Sequence, residues 1–132
     1  MAAVPSRDPL VLVVEDFADA REMYAAFLTL SGMRVLEAAD GEEAVRVATD
    51  SQPDAIVMDL ALPGIDGCEA TRRLRADPRT AHIPVIALSG QVLPRHADAA
   101  RHAGCAVVLL KPLLPETLVA EVRQVLAAGP RG

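Results

Sequence analysis

The stretch VVLLKP, Val107–Pro112, poses the fold question. Four aliphatic residues run into a lysine, and a proline follows at once. A short apolar run of this kind reads as a strand buried on both faces, the habit of parallel sheets covered by helices. A lysine that only ended such a strand would serve as well anywhere on the surface. One that must reach something needs partners.

Outward from this stretch, apolar runs alternate with helix-like segments five times. Strands are expected at Leu10–Val14, Arg34–Glu37, Ala55–Met58, Val85–Leu88 and Val107–Leu110. Helices are expected at about 17–31, 41–50, 67–76, 93–102 and 115–127. Gly32 sits where the first helix should stop. Asp40–Glu43 and Asp66–Glu69 each place an Asp cap with Glu three residues on, a capping-box pattern. Pro115 suits the first turn of the last helix. Leu118, Val119, Val122, Val125 and Leu126 form its apolar stripe. Five βα units in a row imply a doubly wound α/β fold with helices on both faces of a parallel sheet. Residues 1–9 read as a flexible arm, 10–128 as one domain and 129–132 as a tail.

Composition agrees. The 132 residues are 52% hydrophobic, which excludes a disordered chain. Aromatics are only 2%, so Val, Leu, Ile, Ala and Met must build the core. A net charge of −5 argues against direct binding to nucleic acid or an anionic membrane. No apolar run has the length of a membrane span. The first residues lack a signal peptide's charged start and apolar core, so the cytoplasm is the expected location. Cys68 and Cys105 read as free thiols. Cys68 stands near a helix start, a place that can lower a thiol pKa and favour redox sensitivity.

Open α/β sheets bind ligands at the carboxyl ends of their strands. The first strand is followed by Glu15 and Asp16, the third by Asp59, the fourth by Ser89 and the fifth by Lys111. Singly, each reads as a cap, a turn or a solvated side chain. Together they put three carboxylates, a hydroxyl and one ammonium group on one edge. Two like charges at 4 Å repel by roughly 4 kcal/mol at an effective dielectric near 20. Lys111 offsets only one of the three. An all-oxygen site of this charge suits Mg²⁺ or Mn²⁺ rather than zinc. His82, His96 and His102 fall away from the strand ends and read as surface histidines. A carboxylate beside a divalent cation and an ammonium can attack phosphorus and hold an acyl phosphate. Asp59, from a central strand, is the expected nucleophile.

These residues resemble a known family. VVED, VMDLALPGIDG, IALSG and LLKP are similar to the signature regions of response-regulator receiver domains, from about Leu10 to Ala127. The intervals agree too: 43 residues from Asp16 to Asp59, 30 more to Ser89 and 22 more to Lys111. The resemblance implies a flavodoxin-like (βα)5 fold with strand order 2-1-3-4-5. It implies that Asp59 accepts a phosphoryl group from a phosphohistidine on a histidine kinase or histidine phosphotransfer protein. Asp16, Asp59 and the backbone carbonyl of Ala61 would bind Mg²⁺ directly, and Glu15 mostly through water. Lys111 would pair with Asp59 or the phosphate. Ser89 would follow the phosphate and pull its loop inward, a two-state switch. Pro112 would shape the bend after Lys111, often through a cis peptide. The first helix and the loop after Lys111 would meet the kinase. The fourth helix, with Arg95, His96, Arg101 and His102, and the fifth strand and helix would meet a target or a second copy.

Three departures from the family pattern stand out. Val108 occupies a position where most receivers carry Tyr or Phe. Ala61 and Gln91 hold the two positions thought to tune hydrolysis of the acyl phosphate. Gly90 replaces a common Ala and admits more backbone states. No output domain is expected, so the chain would act through partners. The alternatives are a degenerate receiver serving as an interaction module, and an Asp-nucleophile phosphohydrolase. The second needs an acid two residues after the nucleophile, where this chain has Ala61. Turnover of small substrates is therefore not expected.

Overall fold

The structure is a computed structural model that describes residues 8–90 and 94–129. Strands β1 (Leu10–Val14), β2 (Arg34–Ala38), β3 (Ala55–Asp59), β4 (Val85–Ser89) and β5 (Val107–Leu110) alternate with helices. These are α1 (Ala18–Leu30), α2 (Gly41–Ser51), α3 (Gly67–Ala76), α4 (Pro94–Ala103) and α5 (Pro115–Ala128). All pairings are parallel, in the order β2-β1-β3-β4-β5. This is the flavodoxin-like architecture that the sequence implies.

Side chains of the central strands alternate between two apolar layers, as a period of two requires. Val11, Val13, Ala55, Val57, Ile86 and Leu88 face α1 and α5. Leu12, Val14, Ile56, Met58, Val85 and Ala87 face α2, α3 and α4. Every residue of β3 and β4 is buried.

The stretch read first corrects one expectation. Val107–Leu110 is not buried on both faces. It is an edge strand of half-buried residues, and Leu110 is 51% exposed. A purely aliphatic sequence cannot distinguish a central strand from an edge strand whose free side faces water.

Helix ends follow local chemistry. Asp40 caps α2 by accepting from the Glu43 amide at 2.8 Å, and Glu43 in turn accepts from the Ala39 amide at 3.0 Å. Asp66 caps α3 in the same way at 2.8 Å. There the Glu69 carboxylate turns outward to Arg72 and Arg73, each at 3.2 Å, so the second box is half made. Gly32 ends α1 with φ +92°, in the left-handed region glycine favours. Of the arm expected over 1–9, residues 8 and 9 are described. Asp8 accepts from the Arg34 guanidinium at 3.0 Å and Pro9 from the Arg34 amide at 2.8 Å.

Candidate functional site

The carboxyl ends of β1, β3, β4 and β5 meet on one edge. Backbone bonds between strand ends fix their relative heights. The Glu15 amide donates to Ala38 at 3.1 Å, Leu60 to Leu88 at 3.0 Å and Lys111 to Ser89 at 2.7 Å. The last of these sets Lys111 level with the end of β4. The Lys111–Pro112 peptide is cis.

Glu15, Asp16 and Asp59 each bring a carboxylate oxygen within 4.8 Å of one another, close enough to hold a metal ion. Glu15 and Asp59 are buried and Asp16 is exposed, so the cluster is open to water on one side. Lys111 Nζ reaches Asp59 Oδ2 at 2.7 Å and Glu15 Oε1 at 3.3 Å. The other Asp59 oxygen, Oδ1, accepts from the Ala61 amide at 2.9 Å. Glu15 Oε2 is buried and has no partner among the described residues. An orphan acceptor beside two further carboxylates fits an all-oxygen cation site.

The charges respond to one another. Burial raises the Glu15 pKa to about 7, helped by the hydrogen bond and charge of Asp59, with Lys111 opposing. Burial also pushes on Asp59, but hydrogen bonds from Glu15, Lys111 and the Ala61 amide outweigh it and hold that carboxyl below its usual range. For Lys111, burial alone would lower the pKa; Asp59 and Glu15 together raise it. Two acids in adjacent strands are thus driven apart. Near neutral pH, Glu15 shares a proton and Asp59 stays ionised.

Ser89 is buried at the end of β4. Val108 is half-buried and packs into the layer facing α2, α3 and α4. The Ala61 methyl is exposed, and its contribution to the site is its amide. Gly90 is exposed, and a Cβ there would meet nothing within 4 Å. Pro112 is exposed. Gln91 lies outside the described residues.

Three residues in or beside the site are given no role there by the sequence reading. Gly67 lies so close to the backbone of Asp59 and Leu60 that a Cβ would collide with both, so this glycine holds the loop after β3 against its strand. Asp-Gly at a helix start had suggested only a cap. Arg21, one turn into α1, donates to the Glu15 carbonyl at 2.9 Å and pairs with Glu37 at 3.1 Å. No local pattern marks that contact. His96 is not a surface histidine. It is half-buried and lines a groove of about 540 Å³ together with Ala61, Cys68, Arg72 and Ser89. Cys68 also departs from the redox suggestion: burial and the charge of Asp66 raise its thiol pKa, although the thiol is free. Among the described residues, no helix is long and apolar enough to cross a membrane.

Comparison with known proteins agrees with this geometry. The response regulator receiver domain family matches residues 11–123. Phosphate regulon transcriptional regulatory protein PhoB of Pseudomonas aeruginosa is 37% identical over 116 residues, covering 88% of this chain. The chain spans about half of that relative, 51% of its length. PilH of the same organism is 33% identical over 117 residues, covering 89% of this chain and 97% of PilH. A solved receiver domain of a P. aeruginosa sensor histidine kinase superposes with a TM-score of 0.84 at 34% identity. It covers 92% of this chain and 99% of that one, and is described with a magnesium ion coordinated in its active site cleft. A match over nearly the whole chain, with the strand-end carboxylates and lysine assembled on one edge, means that this chain belongs to the response regulator receiver domains.

Proposed function

We propose that this chain is a phosphoaccepting receiver in which Asp59 takes a phosphoryl group from a phosphohistidine, and that the change switches binding to a partner. One observation carries the reading. Asp59 is a buried carboxylate at the end of the central strand, kept ionised by hydrogen bonds from Glu15, from Lys111 at 2.7 Å and from the Ala61 amide. An ionised carboxylate needs no general base to act as a nucleophile.

The step balances simply. An Asp59 oxygen forms a bond to phosphorus while the bond from phosphorus to the donor imidazole breaks. The imidazole nitrogen keeps the electron pair. Lys111 then exchanges a carboxylate partner for a phosphoryl oxygen, and the Ser89 hydroxyl donates to another. Glu15, Asp16, Asp59 and the Ala61 carbonyl are the groups that would hold Mg²⁺, whose chemistry is to neutralise charge on the phosphoryl oxygens. The all-oxygen set and the orphaned Glu15 oxygen fit that ion.

The donor would be a histidine kinase or a phosphotransfer protein in the cytoplasm. Exposed apolar side chains flank the site on the side of α1 and the β5–α5 loop: Phe17 at 61% and Leu114 at 67%. They suit docking of an amphipathic helix. No acid stands at Ala61 to drive turnover, so the chain acts as a switch rather than as an enzyme on small phosphoesters.

The test is a small phosphodonor with Mg²⁺, followed by mass spectrometry of the intact protein and its peptides. Modification is expected at Asp59 and is abolished by Asp59→Asn. An adduct on any other residue overturns the assignment.

A further inference from the structure

The backbone that carries two of the three carboxylates is held from outside the site. Glu15 lies past Val14, the last paired residue of β1. Its amide donates to the Ala38 carbonyl of β2 at 3.1 Å. Its carbonyl accepts from Arg21 Nη1 of α1 at 2.9 Å. The same guanidinium donates from Nε to Glu37 Oε1 of β2 at 3.1 Å. The Arg21 side chain is only 19% exposed, so both bonds are largely shielded from water. A planar fork serves two acceptors at once, which the single ammonium of a lysine does not match.

The Glu15 carbonyl belongs to the peptide unit that joins Glu15 to Asp16. That unit is planar, so a bond to its oxygen restrains ψ of Glu15 and φ of Asp16 together. Both residues carry carboxylates of the cluster with Asp59. Asp16 is exposed, so its place depends on its backbone more than on packing.

We propose that Arg21 is a positioning residue for the divalent cation. It orients the Glu15–Asp16 peptide so that two carboxylates converge with Asp59, and Glu37 orients Arg21. The inference rests on the metal site of the phosphoacceptor reading and deepens it. Charge and positioning predict opposite signs. Removing a cation near the site would by itself strengthen Mg²⁺ binding. Losing an orienting group weakens it, by about 10–100-fold where the group holds a ligating side chain. Arg21 holds a backbone oxygen, so the lower end applies.

Calorimetric titration of the full chain with Mg²⁺ near neutral pH tests this, alongside urea unfolding to confirm that each variant is folded. Arg21→Ala is expected to bind Mg²⁺ about tenfold more weakly than wild type. Arg21→Lys keeps the charge and the stem but serves one acceptor, and a smaller loss is expected. Glu37→Gln is expected to lose less than Arg21→Ala. The double variant should be no weaker than Arg21→Ala alone, because the two residues act through one contact. Arg123→Ala is the control. It removes a similar bond from an arginine to a carbonyl, that of Ser31 at 3.0 Å, at the far end of α1. Its Mg²⁺ affinity is expected to match wild type. Unchanged or tighter binding in the folded Arg21 variants overturns the positioning role. So does an equal loss in Arg123→Ala, which would report a general loosening of α1. A wild type that takes up no Mg²⁺ overturns the metal site and the proposal with it.

Discussion

Replacing Glu15 with Gln isolates the charge balance of the site from its packing. In the metal-free protein Glu15 titrates at about 7 instead of 4.5, because burial and then Asp59 resist its ionisation. The folded pKa lies above the unfolded one, so folding favours the proton. Stability from this group is complete below the unfolded pKa and declines as pH rises through the window from 4.5 to about 7. Above that window the ionised carboxylate is a standing penalty. A shift of this size would correspond to roughly 3 kcal/mol if none of it were screened. The cluster opens to water beside Asp16, and the 3.3 Å contact between Glu15 and Lys111 offsets some of the repulsion. With both taken off, about 1–2 kcal/mol remains.

Glu15→Gln keeps the shape and places an amide N–H where the carboxyl proton would be. In EDTA at about pH 8 the variant is expected to be more stable than wild type by about 1–2 kcal/mol. At about pH 5 the two are expected to coincide, because wild-type Glu15 is then protonated. Saturating Mg²⁺ at the higher pH should reverse the order, since the wild type would hold the ion more tightly and gain more from it. The chain has no Trp and one Tyr, so urea unfolding followed by far-UV circular dichroism is the suitable assay. A difference that is the same at both pH values would refute the argument. So would a variant that is less stable than wild type at high pH without metal.

Lys111→Ala should leave the fold intact and lower metal-free stability near neutral pH by about 1–2 kcal/mol, short of the full cost for a buried pair because Lys111 is partly exposed. Urea titration measures it, and phosphorylation of Asp59 or its structural consequence should fail in parallel. Gly67→Ala must push the loop off Asp59 and Leu60, for about 1–3 kcal/mol by thermal unfolding, with slower modification of Asp59. Asp40→Ala should cost about 1 kcal/mol and Asp66→Ala somewhat less, because only the first cap has its returning carboxylate. Val108→Tyr should change partner affinity more than the rate of Asp59 modification; equal effects on both would remove any separate role for that position in readout.

The strands, helices and four strand ends were legible because each rests on local chemistry. Apolar runs, Asp caps and a terminal glycine act within a few residues. The site was legible for a further reason: parallel strands present all their carboxyl ends on one side, so the residue after each strand is known to share an edge. The strand order came from the family resemblance, and what stayed hidden depends on packing and distance across the sheet. Nothing in VVLLKP states that β5 lies at the edge. Nothing in the sequence around His96 states that it lines the same groove as Ser89, and α4 could be rotated by one residue with little change in pattern. The reading of Cys68 as a free thiol holds, and only the secondary suggestion of redox sensitivity fails, for the same reason. Position at a helix start favours a thiolate, but the degree of burial decides, and burial is a tertiary property.

The edge position of β5 also explains why the residue at its end is a lysine. Neighbouring strands lie about 4.8 Å apart, so β5 is roughly 9–10 Å from β3 with β4 between them. The acids of β1 and β3 are next to each other and need only short side chains to meet. The cation must cross the end of β4. A four-carbon stem with a compact charge can do this, provided that β4 ends in something small. It ends in Ser89 and Gly90, and the Lys111 amide bonds to the Ser89 carbonyl at 2.7 Å before the side chain passes on to Asp59. A bulky residue in place of Ser89 would block that path as well as remove the hydroxyl. The small residue at the end of β4 and the long one at the end of β5 are therefore two halves of one constraint. That constraint is set by the strand order rather than by either strand's own sequence.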